Sequence, residues 1–270
     1  MKRGKAIVFV ADFFKGDLFG GAENNDSVLI EHLKKVGYEV KKVHSQDLRV
    51  SDLDSNSSTF IVGNFIGLTE EVKTAMSSAS IDYIIYEHDH KYLKTRDPSV
   101  FANFKAPDDQ IINRSFYENA RAVVVLSKVC KEIAERNLGI GSVYNIGSSL
   151  WSEDKFSLLE RLSAERKQKS IQYGILDSKN PIKGTKQSAE WCTNNNKEYK
   201  LIGSSDEVVF LDQLRDCEKL VFMPQVLETF CRLSAEAKML SCKLVTTKAL
   251  LGFASEECYK LSGEELISEM

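Results

Sequence analysis

The sequence predicts an α/β protein built from two βα domains in tandem. Three observations carry this. Short apolar runs of strand length alternate with segments of helical periodicity through the first half. The same rhythm restarts after a charged bridge at 151–169. A chain of 270 residues is long for one domain and comfortable for two. The boundary is expected near 165, giving domains at 1–165 and 166–270.

In order, the strands of the first domain are expected at 6–10, 39–43, 59–62, 83–86, 122–126 and 142–145. Between them, Val28, Leu29, Leu33 and Val36 form a helical stripe over 25–36. A second amphipathic helix covers 128–137, with Gly139 just past its end. The second domain reads as a strand at 170–174, a helix at 185–194 and strands at 200–202 and 220–223. A helix at 229–240 and a strand at 243–246 follow, and the bridge itself reads as helical. Residues 51–58 form a polar loop. Its Asp52-Leu-Asp54 has the D-x-D form but precedes a strand, so it reads as turn chemistry. Tandem βα domains usually face each other across a cleft, with ligands at the carboxyl ends of the strands.

Composition narrows the function classes. A hydrophobic content of 43% supports real cores, and the charge is −3 from 36 basic and 39 acidic residues. That balance implies no obligatory nucleic acid. No apolar run approaches the length of a membrane span. The first apolar stretch reads as a buried strand and not as a signal peptide. Lys34-Lys35 and Lys41-Lys42 read as solvated pairs. The first domain has no basic amphipathic helix of the lipid-binding kind, although peripheral membrane contact stays open for a lipid acceptor. Cys130, Cys192, Cys217, Cys231, Cys242 and Cys258 show no C-x-x-C spacing. They read as reduced thiols of a cytoplasmic protein, with little support for zinc.

The most specific signal is Glu228 with Glu236, in Pro224-Gln-Val-Leu-Glu228-Thr-Phe-Cys-Arg-Leu-Ser-Ala-Glu236. One acid falls on a strand-to-helix loop and the other inside the helix. At helical rise they are at most ~12 Å apart, about the span of a nucleotide sugar from hexose to ribose. Carboxylates accept hydrogen bonds from hydroxyls, so the pair points to a nucleotide-sugar site. Lys183 and Gly184, at the start of another helix, read as a diphosphate clamp: a lysine brings charge and three donors, and a helix start adds N–H groups. Gly20 and Gly21 open a helix after the first strand. They match neither G-x-G-x-x-G nor a Walker loop, but they let a ligand approach the backbone, and N–H groups there favour an anion. In Tyr86-Glu87-His88-Asp89-His90-Lys91-Tyr92, adjacent strand residues point to opposite faces, which argues against a metal site. His88 and Asp89 are instead expected to line the cleft and contact sugar or phosphate.

Taken in order, these pieces resemble the retaining glycosyltransferases of the GT-B architecture, the family-4-like group, over about residues 6–253. Gly20-Gly21-Ala22-Glu23 is similar to that family's glycine loop, and His88-Asp89 falls where a histidine often stands near the reacting sugar. Ser127 and Asn145-Ile-Gly147 match landmarks closing the first domain. Gly174-Ile175-Leu176-Asp177 with Lys183-Gly184 looks like the phosphate-binding segment, and Glu228-x₇-Glu236 matches the best-known motif. The resemblance implies two Rossmann-like domains. It implies that Glu228 binds the transferred sugar, helped by the N–H groups of Thr229, Phe230 and Cys231, and that Glu236 binds the ribose. Lys183 would neutralise the leaving diphosphate, and Gly20 and Gly21 would admit acceptor and diphosphate. His88 would stand by the sugar on the first-domain side. Transfer would proceed with retention, without a protein nucleophile, a cofactor or a required metal.

Two departures stand out. The family's usual arginine in the Gly174-Ile175-Leu176 segment is Ile175 here, so one of two usual diphosphate cations is missing from that place. Lys179, Lys186 and Arg232 are the candidate substitutes, and an arginine introduced at 175 is expected to tighten nucleoside-diphosphate binding if the missing cation is a real deficit. About seventeen residues follow Phe253, so the family's returning C-terminal helices look curtailed, which leaves room for oligomerisation. The expected function is a cytoplasmic enzyme moving a hexose-type sugar from a nucleotide-diphosphate donor to a hydroxyl acceptor. The rival readings are a degenerate module that binds nucleotide sugars or glycans without turnover, and a GT-B-type hydrolase or epimerase of nucleotide sugars. Product identity separates the last two from transfer.

Overall fold

The structure is a computed structural model that describes residues 6–17, 20–54, 58–78, 81–165 and 168–270. The chain divides into two compact units, Met1–Trp151 and Ser152–Met270. This division falls at the start of the bridging helix, where the sequence reading places it at the end. The reason is packing: that helix rests on helices of the second unit.

The first unit runs β1 (Ala6–Ala11), α1 (Gly21–Lys35), β2 (Val40–His44), β3 (Ser58–Val62), α2 (Glu70–Ser78) and β4 (Tyr83–Tyr86). Then come α3 (Arg114–Glu118), β5 (Ala122–Val125), α4 (Lys128–Leu138) and β6 (Val143–Asn145). Its six strands are parallel in the order β2-β1-β3-β4-β5-β6, with register pairs such as Phe9↔Ile61 and Ile85↔Val123. Phe9, Val10, Phe60, Val62, Tyr83 and Ile85 are buried. Such continuous apolar runs are what a parallel sheet covered on both faces requires. Connections here are crossovers by necessity, because parallel neighbours cannot be joined by a tight hairpin. α4 begins at Ser127, whose hydroxyl accepts from the Cys130 N–H, and ends at Gly139 with φ of 76°. That left-handed stop costs a glycine little.

The second unit runs α5 (Glu153–Ala164), β7 (Ile171–Leu176), α6 (Thr185–Asn194), β8 (Lys200–Ile202) and α7 (Glu207–Arg215). It continues with β9 (Cys217–Phe222), α8 (Arg232–Met239), β10 (Lys243–Thr246) and α9 (Gly263–Glu269). Its four strands are parallel in the order β10-β9-β7-β8. Order reverses at β7, which pairs with β8 on one side and β9 on the other. Such a switch point opens a crevice at the carboxyl ends of the strands. At the opposite, amino ends of these strands the Lys169 ammonium donates to the carbonyls of Arg215, Cys217 and Leu240 at 2.7, 2.9 and 3.2 Å. No helix among the described residues is long and apolar enough to cross a membrane.

Two expectations shift. α8 starts at Arg232, three residues later than the sequence pattern suggests, because Cys231 stands at φ of 78° and breaks the helical run. In α1 the residues buried deepest are Glu23, Asn25, Asp26 and Ile30. The expected stripe of Val28, Leu29 and Leu33 is only half-buried, and Val36 is exposed. The polar loop keeps its reading at Asp52, whose carboxylate accepts from the Arg49 N–H at 2.9 Å, while residues 55–57 lie outside the described residues.

Candidate functional site

The second unit assembles the glutamate motif at the carboxyl ends of β7 and β9. Residues 228–230 run beside 250–253. The Glu228 N–H donates to the Leu250 carbonyl at 3.0 Å, Gly252 N–H to the Glu228 carbonyl at 2.8 Å, and Phe253 N–H to the Phe230 carbonyl at 2.8 Å. Phe230 is buried with its ring 5.3 Å from that of Phe253. This backbone pairing fixes Glu228 on the loop. Its carboxylate accepts from the Lys183 ammonium at 2.7 Å. Burial alone opposes the charge on Lys183, but the Glu228 carboxylate and its hydrogen bond hold the lysine's pKa above its ordinary value.

Lys183 is aimed there by a tight backbone approach. It ends a short 3₁₀ turn (Pro181–Lys183), started by the Asn180 side chain accepting from the Ile182 N–H at 3.2 Å. Gly184 follows at φ of 66°, and any Cβ there would collide with the Met223 carbonyl. Only glycine lets the loop after β7 lie against the end of β9 in this way. Gln225 N–H then donates to the Ile182 carbonyl at 2.9 Å, closing the two loops together.

Glu236 sits on α8, buried, with Lys155 at 3.4 Å and Arg232 at 3.6 Å from its Oε1. Cys231 lies between the two glutamates as the N-cap of α8. Its Sγ is 3.1 Å from the Ser234 hydroxyl, and burial, then the nearby Glu228, pushes its thiol up to about 12. A cysteine in the left-handed region carries strain that a glycine would not. Thr229 is half-buried beside it.

Ile175 corrects an expectation. It is 0% exposed and packed among Tyr173, Cys192 and Val221 in the core. An arginine there would be a buried charge and would not reach a diphosphate. Of the other cations considered, Lys179 is exposed, Lys186 points to solvent near Glu190 at 3.8 Å, and Arg232 is the one that joins the motif.

The first unit gathers a different set at the ends of β1, β3 and β4. His88 and Asp26 are both buried, with His88 Nε2 2.8 Å from Asp26 Oδ1. The Tyr86 ring stands edge-on to His88 at 4.4 Å. A Cβ on Gly63 would come within 2.9 Å of Asp26 Oδ2, so the glycine makes room for this carboxylate. Asn25 ties α1 to the loop after β6, accepting from the Leu150 N–H at 2.7 Å and donating to the Ser149 hydroxyl at 3.0 Å. Asp12 clamps the loop after β3, accepting from the Ile66 and Gly67 N–H groups at 2.9 and 2.8 Å.

Gly20 is the N-cap of α1 and Gly21 its first residue. A Cβ on Gly20 would collide with the Glu23 carboxylate, which folds back over it. Glu23 is buried, and no side chain among the described residues donates a hydrogen bond to it. Burial raises its pKa, its own backbone amide offsets part of this, and the Asp26 charge adds to the rise. An anion at the glycine loop would meet this carboxylate first.

Asp89 is partly exposed and paired with Lys91 at 2.7 Å and with Arg96. Glu87, His90 and Lys91 turn inward instead. Lys91 donates to Glu87 at 2.7 Å, and Tyr117 donates to the other Glu87 oxygen. Burial works against the Glu87 charge, but Lys91 overrides it and lowers its pKa. His90 is fully buried with the Tyr92 hydroxyl at 2.8 Å, and burial lowers its pKa to about 4. No group of three or more His, Cys, Asp or Glu side chains among the described residues is placed to hold a metal ion.

Sequence reasoning missed Asp26 and Lys155. Asp26 had a signal, since Glu23 and Asp26 share one helical face with Ile30 while the apolar residues of α1 cluster elsewhere. Lys155 had none, because a lysine in a charged helix reads as solvated.

No family model matches the chain, and no curated protein sequence does. Solved structures do match in fold. An α,α-trehalose-phosphate synthase (UDP-forming) from Burkholderia vietnamiensis aligns with TM-score 0.61 and 9% identity, over 98% of this chain and 90% of that one. The catalytic domain of starch synthase IV from Arabidopsis thaliana, bound to ADP and acarbose, aligns with TM-score 0.58 and 10% identity, over 93% and 84%. Anabaena HepE, in complex with UDP and glucose, aligns with TM-score 0.50 and 15% identity, over 93% and 82%. These are GT-B glycosyltransferases. The chain has their fold, two Rossmann-like α/β units with parallel sheets.

Proposed function

We propose that this chain is a glycosyltransferase that moves a hexose-type sugar from a nucleotide-diphosphate donor to a hydroxyl acceptor, with retention and without a required metal. The observation that carries the reading is the Lys183–Glu228 pair at 2.7 Å. Two residues 45 apart in sequence, each singled out for the same ligand, are held together at the carboxyl edge of the second sheet. The GT-B fold over nearly the whole chain supports it.

In this reading the donor binds on the second unit. Glu228 accepts hydrogen bonds from hydroxyls of the transferred sugar, with the Thr229, Phe230 and Cys231 backbone alongside. Glu236 accepts from the ribose. Lys183 shifts its contact from Glu228 toward the diphosphate, so that the charge released as the C1–O bond breaks meets a cation already in place. Gly184 keeps that lysine's loop close. On the first unit Gly20, Gly21 and Asp89 border the acceptor, together with His88, which Asp26 orients. The acceptor meets Glu23 there, which suits hydroxyls better than phosphate. The setting is a cytoplasm, in keeping with six cysteines that are all free thiols.

The test is product analysis. The protein is incubated with UDP-, GDP- and ADP-sugars and a panel of hydroxyl acceptors, with and without Mg²⁺. The expected product is a new glycoside with the donor's anomeric configuration and free nucleoside diphosphate, formed without metal. Nucleotide binding with no product would favour the non-catalytic module, and free sugar or an epimerised donor would favour the hydrolase or epimerase.

A further inference from the structure

Lys155 is an expensive group in an unusual place. It lies in the first turn of α5, and its own N–H is capped by the Ser152 hydroxyl at 3.3 Å. Helix peptide dipoles disfavour a cation at that end. Its side chain is nonetheless 6% exposed. A buried ammonium persists only when its charge is paired.

Lys155 is paired twice, and the two partners differ. Its Nζ is 2.7 Å from Glu207 Oε1 and 3.4 Å from Glu236 Oε1. The Glu207 side chain is 61% exposed and can be solvated without help, whereas that of Glu236 is 9% exposed. Glu236 is therefore the acid that depends on Lys155. Arg232 approaches the same oxygen at 3.6 Å, one turn earlier on α8. Two cations drawn to one oxygen leave the carboxylate little freedom to rotate.

We propose that Lys155 is a positioning residue of the donor site: it fixes the Glu236 carboxylate in one orientation so that the ribose hydroxyls of the nucleotide can donate to it. The proposal rests on the reading of Glu236 as the ribose-binding acid. Lys155 acts through Glu236 and does not itself touch the nucleotide. Glu207 holds the ammonium from its outer side. The bridging helix α5 thereby becomes part of the donor site.

The experiment is calorimetric titration of the full chain with UDP, GDP and ADP, carrying forward whichever binds tightest. Lys155→Met and Lys155→Gln are compared with Lys155→Arg, with Glu236→Gln, and with the double variant Lys155→Met/Glu236→Gln. Thermal melts confirm that each is folded. Lys155→Met should weaken binding roughly ten-fold, within the range of contacting pairs, and Lys155→Arg should restore most of it. In the Glu236→Gln background the Lys155→Met change should add little. A purely structural lysine would not show that non-additivity. Wild-type affinity in folded Lys155→Met or Lys155→Gln overturns the proposal, as does an equal loss with and without the Glu236 carboxylate. Wild-type binding that Glu236→Gln leaves unchanged, or no binding of any nucleotide, brings down the donor-site reading itself.

Discussion

The acids of the two candidate sites are held differently: those of the second unit all face cations, whereas, among the described residues, the first unit's buried Glu23 does not. In the second unit Glu228 lies 2.7 Å from Lys183, and Glu236 has Lys155 and Arg232 at 3.4 and 3.6 Å. In the first unit Asp26 has His88, but Glu23 has no side-chain donor among the described residues; burial raises its pKa, its own amide and His88 work against this, and Asp26 and Asp12 add to the rise. The difference teaches where an anion can go. A site whose cations are already pointed at carboxylates can trade them to a diphosphate without moving a charge out of water. A site crowded with carboxylates repels phosphate and accepts hydroxyl groups. The polar composition of the two regions alone would not separate them.

The comparison can be broken at several points. The largest effect is expected for Glu228→Ala, which should lower transfer by about a hundred-fold or more, in the range for one preorganised contact to a reacting centre. Steady-state rates with the correct donor check this, and unchanged turnover would remove Glu228 from the site. Next is Ile175→Arg. Because Ile175 is fully buried in the second core, the variant should lose about 3 kcal/mol or more of stability, and denaturant melts should show it.

Acid should act on the first unit. His90 titrates near 4 in the fold against 6.5 in the unfolded chain, so the unfolded chain binds more protons between those values. Stability from keeping His90 neutral is complete above pH 6.5 and is lost as pH falls toward 4, amounting to about 3 kcal/mol. Glu87, whose pKa is lowered, loses its contribution on the acid side as well. Melting midpoints should therefore fall from pH 7.5 to 4 in wild type and fall less in His90→Gln.

The smallest effect sharpens the contrast most, because one substitution should have two signs. Glu236→Gln removes the carboxylate that Lys155 and Arg232 both approach and should destabilise by about 1 kcal/mol. Glu23→Gln removes a carboxylate whose charge burial disfavours in the fold at neutral pH, and should stabilise slightly. Equal signs in denaturant melts would mean that the two acids are not held differently.

Much of the fold was readable in the sequence because parallel strands are nearly unbroken apolar runs. Strands 83–86, 200–202 and 243–246 and the helix at 185–194 stand where the pattern puts them. The helices at 70–78 and 207–215 were not foreseen: both are short, and in α7 the apolar Val208 and Val209 face solvent. In the candidate site, spacing and residue type pointed to Lys183, Gly184, Glu228 and Glu236, since each depends on a local turn or helix. The pairings Asp26–His88 and Lys155–Glu236 join residues 62 and 81 apart, and no local pattern carries them. Ile175 misled because its neighbours resemble a phosphate-binding segment, while strand alternation aims its side chain at the core.

The most direct measurement compares the affinity of a nucleoside diphosphate with that of the matching nucleoside, without metal, in wild type and in Lys183→Met. A second-unit diphosphate site predicts that wild type prefers the diphosphate strongly and that Lys183→Met erases most of this preference while still binding the nucleoside. A preference that survives unchanged in Lys183→Met, or nucleoside and diphosphate binding equally well to wild type, would contradict it.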